Sequence, residues 1–288
     1  MSGKTIETFK LLLLTIVTLI LLAANSILCR AALLDSHLDA YTFSFLRLFF
    51  GALVLLIILL IREKKISINL KTNWLNSFFL FLYAITFSYS YVDMEAGIGT
   101  LILFAVVQLT MIVFAIIKKE HLTAKKAFGI AIAFSGLVYL LFPSEEFSLS
   151  LFHTFLMFLS GIAWAFYTIL GKTSKNALND TTENFLKTIV FLLIFFVLFV
   201  DSINITAYGI FLAFISGGIA SGIGYVLWYK ILKDMEIITA SVIQLIVPVI
   251  AIFLSILILD ETLTSTLILS TALIISGIFI SIYKKSSK

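Results

Sequence analysis

Apolar residues in this chain run in long blocks, separated by short polar stretches, rather than alternating singly with polar ones. A helix needs about 20 mainly apolar residues to cross the hydrocarbon core of a bilayer. The pattern predicts ten such spans, over residues 10–29, 42–61, 74–92, 97–117, 125–142, 151–171, 184–201, 207–229, 237–259 and 264–283. Helix is the form expected of each, because lipid offers no hydrogen-bond partner to loose backbone groups. A transmembrane β-barrel is excluded, since its strands alternate and carry no continuous apolar run. The first block is long for a signal-peptide core and is followed by nine more, so it reads as an uncleaved first helix.

Composition sharpens this picture. The 288 residues are 61% hydrophobic and 12% charged, and the mean hydropathy is +1.14. Soluble domains are about half apolar and about a quarter charged. Ten spans take up roughly 200 residues, leaving short loops and no room for a soluble domain. The expected fold class is an all-α integral membrane protein with ten transmembrane helices.

Charge placement orients the chain. With both termini in the cytoplasm, every Lys and Arg except Arg30, Arg47 and Lys187 falls at a terminus or in an inner loop, as the positive-inside rule requires. Arg30 lies in an outer loop, and Arg47 and Lys187 lie inside spans. The net charge of +4 therefore points to a membrane surface rather than to nucleic acid. The expected location is the cytoplasmic membrane, multi-pass.

The two halves resemble each other at a spacing of 141 residues. Asp93-Met94-Glu95 recurs as Asp234-Met235-Glu236, Ile102 as Ile243, Glu120-x-Leu122-Thr123 as Glu261-x-Leu263-Thr264, and Gly136 as Gly277. Each half holds five spans, so the second copy enters the membrane upside down. The expected division is residues 1–143 and 144–288, two inverted five-helix repeats. Inverted repeats are a hallmark of secondary transporters, with the substrate near the midplane between them.

These residues resemble the EamA-like family of the drug/metabolite transporter superfamily. The likeness rests on Ala240-Ser241 through Gln244, Pro248-Val249, Asp260-Glu261-x-Leu263 and Gly277. It rests also on Phe45-x-Arg47, on Glu120-x-Leu122-Thr123 followed by Gly129 and Gly136, and on Ala163-Trp164-Ala165 with Tyr167. The chain departs from the family at Val107-Gln108, where a proline is common in the fourth span. The resemblance implies transport of a small organic solute without naming it.

Several residues within spans carry candidate chemistry. A charge inside a span costs about 3 kcal/mol on insertion scales. Arg47 and Lys187, near-equivalent in the two repeats, read either as gate or anion-attracting charges or as side chains snorkelling to the headgroups. Asn25, Gln108 and Gln244 read either as hydrogen-bonding groups for a substrate or as contacts between helices. Trp164 and Tyr167 share a helix face and suit a cavity wall for a flat or cationic solute; interhelical packing is the other reading. Pro248 removes a backbone hydrogen bond and should kink the ninth helix. No Asp or Glu is expected deep in a span. Thr123 and Thr264 read as helix N-caps, giving Glu120 and Glu261 a structural role.

The expected function is a secondary transporter, exporting a small organic metabolite or amino acid by alternating access. Alternatives are a lipid-headgroup or isoprenoid-carrier flippase on the same fold, and a membrane-embedded lipid enzyme. No catalytic residue, metal site or cofactor is expected: the single Cys29 and the histidines His37, His121 and His153 form no ligand spacing, and there is no phosphate-cradling loop. The expected partners are a small-molecule substrate and the lipid bilayer, with no nucleic acid; a homodimer stays open.

Overall fold

A computed structural model describes residues 3–63, 68–69, 71, 74–119, 123–141, 150–199 and 203–282. Glu120, His121 and Leu122 lie outside the described residues. The described chain is helical, and its one isolated bridge pairs Leu38 with Ile205. Helices α1 (Gly3–Leu33), α2 (Ala40–Glu63), α3 (Trp74–Ser90), α4 (Ala96–Ile117) and α5 (Ala124–Leu141) form the first half. Helices α6 (Leu151–Gly171), α7 (Ala177–Ile194), α8 (Ala207–Leu232), α9 (Ile237–Leu259) and α10 (Ser265–Ile282) form the second. A short helix, Phe196–Phe199, trails α7.

Six of these helices are long and apolar enough to cross a membrane: Phe9–Leu33, Ala40–Glu63, Ala96–Ile117, Leu151–Gly171, Ala207–Leu232 and Ile237–Leu259. Helix α7 falls short of that standard for a visible reason. It starts seven residues before the apolar block, at Ala177, and its first two turns are polar.

Polar residues at the helix starts satisfy backbone N–H groups that have no partner within the helix. Asp39 accepts from Thr42 N at 2.9 Å, Asn176 from Asn179 N at 3.1 Å and Thr206 from Gly209 N at 3.0 Å. Thr123 and Thr264 cap α5 and α10 as expected, accepting from Lys126 N and Leu267 N. Helix α4 is capped from the other half of the chain. Glu261 takes Ala96 N on Oε1 at 2.6 Å and Gly97 N on Oε2 at 3.1 Å, placing an anion at the positive end of the helix.

The packing follows the sequence repeat. Helix α6 packs on α3 and α4, and its counterpart α1 packs on α8 and α9. The pairs α2–α7, α4–α9 and α5–α10 each join a helix to its own counterpart, and these pairs run antiparallel. Gly97, at the start of α4, lies against Ile252 and Ser255 late in α9, while Met111, late in α4, meets Gln244, early in α9. Tyr41, at the start of α2, donates to Leu192 O late in α7 at 2.8 Å; Glu63, the last residue of α2, accepts from the α7 cap Asn176. Gly129 of α5 meets Gly277 of α10, and Gly136 meets Ser270. Lys119 and Asp260, one repeat apart, both take the left-handed conformation after α4 and α9, with φ of 63° and 53°.

Among the described residues, two helices of the second half depart from a regular α-helix. The middle of α8, Ile215–Ile223, is a π-helix, whose wider turn brings residues five apart onto one face. Helix α9 breaks into Ile237–Ile243 and Ile246–Leu259. The break sits one turn before Pro248, which has no N–H to return to Gln244 O; Val247 N takes that carbonyl instead at 3.0 Å.

Candidate functional site

The polar side chains predicted within spans are buried, and most of them meet around α2, α3, α6, α8 and α9. Arg47 is 1% exposed and does not snorkel. Its Nε donates to Ser221 Oγ at 2.9 Å, and its Nη2 donates to Tyr83 Oη at 3.1 Å and Tyr225 Oη at 2.6 Å. The guanidinium also lies over the rings of Tyr83 and Phe87, at 5.3 and 5.0 Å from their centroids, where the ring quadrupoles favour a cation. Nη1 is buried without a hydrogen-bond partner.

The π segment explains how Ser221 arrives there. Ser216 and Ser221, five apart, both donate to Asn25 Oδ1 at 2.9 Å. Asn25 thus ties α1 to α8 and, through Ser221, holds Arg47. Close approach of α2 and α8 requires Gly217, where an added Cβ would run into Arg47 O.

Trp164 and Gln244 form the second part of the site. Trp164 Nε1 donates to Gln244 Oε1 at 2.7 Å, and Gln244 Nε2 reaches Ala240 O at 3.3 Å and Met111 Sδ at 3.6 Å. Aromatic rings then link the two parts. Phe87 touches Tyr83, Tyr83 touches Trp164, and Trp164 touches both Tyr225 and Tyr167, with centroids 5.2, 4.9, 4.8 and 5.6 Å apart. Tyr167 continues to Tyr229 at 5.1 Å. The Tyr167 hydroxyl is buried and faces Thr181 and Asn184.

This aromatic column stands between two open cavities at opposite ends of the bundle. One, about 570 Å³, is lined at the end of α3 and the start of α6 by Thr86, Tyr89, Phe152 and His153, with Asp39 and Asn204. The other, also about 570 Å³, is lined at the start of α3 and the end of α6 by Trp74, Asn76 and Leu170, with Asp180 and Tyr229. The column begins at Phe87, next to Thr86 in the first wall, and ends at Tyr229 in the second.

Not every predicted residue joins this site. Gln108 faces α5 and α10, beside Ile130, Ala133 and Ile274, apart from Gln244. Lys187 is 1% exposed and, like Arg47, does not snorkel; it pairs with Glu183 at 3.3 Å across one helical turn. Glu183 corrects the expectation that no carboxylate would lie deep. It is 2% exposed and also accepts from Asn69 N at 2.7 Å and Asn179 Nδ2 at 3.0 Å. The predicted span began one residue after it. Tyr83 and Tyr225 were not singled out from the sequence; the signal available was that they recur in the third and eighth spans at nearly the repeat spacing. Among the described residues no group of three His, Cys, Asp or Glu could hold a metal.

The profile of the EamA-like transporter family matches residues 9–142 and again residues 151–283. The chain belongs to the EamA-like transporter family. An uncharacterised protein of Pseudomonas aeruginosa is 38% identical over 267 residues, 93% of this chain and 92% of that one. A protein of Escherichia coli named as a "probable amino-acid metabolite efflux pump" is 26% identical over 248 residues, 78% of this chain and 80% of that one. A solved crystal structure, 18% identical, shares the fold with a TM-score of 0.70 over 93% of this chain and 97% of its own. This EamA-like chain is a multi-pass membrane transporter of two repeats, and the cluster just described lies where helices of the two repeats meet.

Proposed function

We propose that the protein is a secondary carrier that moves a small organic metabolite or amino acid across the cytoplasmic membrane by alternating access. All ten helices cross the membrane, as two inverted repeats over residues 1–143 and 144–288, with both termini in the cytoplasm. One observation carries this reading: a buried polar and aromatic cluster with unsatisfied donors lies between two cavities that open at opposite ends. Arg47, Trp164, Tyr167 and Gln244 line the cargo site, with Asn25 holding Arg47 through Ser221. The break before Pro248 supplies the place where α9 bends as access changes. Counterpart helices packed on one another give two near-equivalent arrangements, one open to each side. Export is the direction favoured, in line with the name of the Escherichia coli relative.

The test is reconstitution in liposomes without nucleotide. A small solute is expected to cross, and Trp164→Ala or Gln244→Ala to cut that flux while the variants remain folded. Equal flux in both variants defeats the site assignment. Cysteines introduced after Lys119 and after Asp260 are expected to react with impermeant label from opposite compartments; reaction from the same side defeats the inverted topology.

A further inference from the structure

We infer that the cargo is a net-anionic organic acid, whose carboxylate becomes the counter-ion of Arg47. The inference rests on the cluster being the cargo site and goes further by naming the charge that fits it. A guanidinium has five N–H donors and stays charged in a protein. Three of those donors are taken, by Ser221, Tyr83 and Tyr225, and all three acceptors are neutral hydroxyls. The two N–H groups of Nη1 are buried and unpartnered. Arg47 makes no ion pair among the described residues, where the pairs found are His153–Asp93 and Lys187–Glu183. A buried charge without a counter-ion is costly, and a carboxylate oxygen at Nη1 would form the charge-assisted hydrogen bond that the neutral hydroxyls do not supply. Tyr83 and Tyr225, which hydrogen-bond Arg47, pack with Trp164 beside this position, so the body of the acid would lie against aromatic rings as the cluster opens. None of the acceptors and rings named around Arg47, nor Gln244 beside Trp164, is a carboxylate that could take an ammonium. The site therefore favours an acid over the matching amino acid, and both over the matching amine.

The experiment uses 3-phenylpropionate, phenylalanine and phenethylamine as a matched series. Binding to the purified full chain and counterflow in liposomes are measured for the wild type, Arg47→Met and Trp164→Ala. The expected order is acid tightest, amino acid weaker and amine weakest. Arg47→Met should weaken acid binding by about thirtyfold or more, the usual result of deleting one partner of a buried ion pair, and should shrink or reverse the preference for the acid over the amine. The inference is overturned if the amine or the amino acid binds as tightly as the acid, if Arg47→Met leaves acid affinity unchanged, or if none of the three binds. If Arg47→Met fails to fold, the wild-type order decides. The site reading has a separate outcome: it fails when a probe that is carried is carried equally well by Trp164→Ala.

Discussion

Trp164 and Gln244, 80 residues apart, share a buried hydrogen bond of 2.7 Å from the indole N–H to the amide oxygen. The bond fastens α6 to the break in α9, two helices of the second half. Removing either partner leaves the indole N–H or the amide oxygen of the other buried and unpaired. Trp164→Phe and Gln244→Leu should each cost about 1–3 kcal/mol. The double variant should cost less than their sum, by a coupling of about 0.5–3 kcal/mol. Unfolding of the purified variants in detergent measures this, and strict additivity would show that the contact contributes nothing of its own.

The Glu183–Lys187 pair is buried on both sides. Glu183→Gln should destabilise the protein by about 3–5 kcal/mol, because it removes the carboxylate that balances a buried ammonium. Adding Lys187→Met should restore part of that loss. A double variant no more stable than Glu183→Gln would place the effect in the contacts to Asn69 and Asn179 instead.

Gly217→Ala should force α2 and α8 apart. Its Cβ would meet the Arg47 carbonyl, which is backbone and cannot swing away. Overpacking of this kind costs about 1–3 kcal/mol. Gly218→Ala is the control, since its Cβ would meet the Val54 side chain at 2.8 Å, which can adjust. Melting temperatures and liposome flux should both fall more for Gly217→Ala than for Gly218→Ala.

Glu95, just before α4, gives a pH dependence of defined sign. Burial first, and then the neighbouring Glu261, push its pKa above the ordinary 4.5, with Arg30 opposing. The folded state therefore holds this proton more tightly than the unfolded state does. The resulting stability is fully present below the unfolded value and is lost as pH rises through the raised one. Melting temperature should drop over that window in the wild type and vary less in Glu95→Gln. Identical profiles for the two would remove Glu95 as the cause.

Much of the fold was legible along the chain. Apolar blocks marked the helices, and motifs 141 residues apart marked the repeat. The break in α9 was legible in Pro248, whose repeat counterpart is Val107; with an N–H at that position, α4 runs unbroken from Ala96 to Ile117. Arg47, Trp164 and Gln244 were visible as polar or bulky residues where lipid would not tolerate them. Their neighbours were harder to read. Tyr83 and Tyr225 look like any aromatic in an apolar block, and Ser221 reaches Arg47 only because α8 widens into a π-helix.

What the sequence determined alone is set by transfer free energy and backbone hydrogen bonding, which act on each segment locally: helical blocks, their approximate ends, and a duplication. What the tertiary structure decided is which of those side chains meet. Packing brought Arg47 among hydroxyls and rings from α3 and α8, turned Gln108 away towards α5 and α10, and buried Glu183 beside Lys187. Contacts between helices far apart in the chain depend on crossing geometry and on where glycines permit approach, and no residue-by-residue pattern encodes those distances.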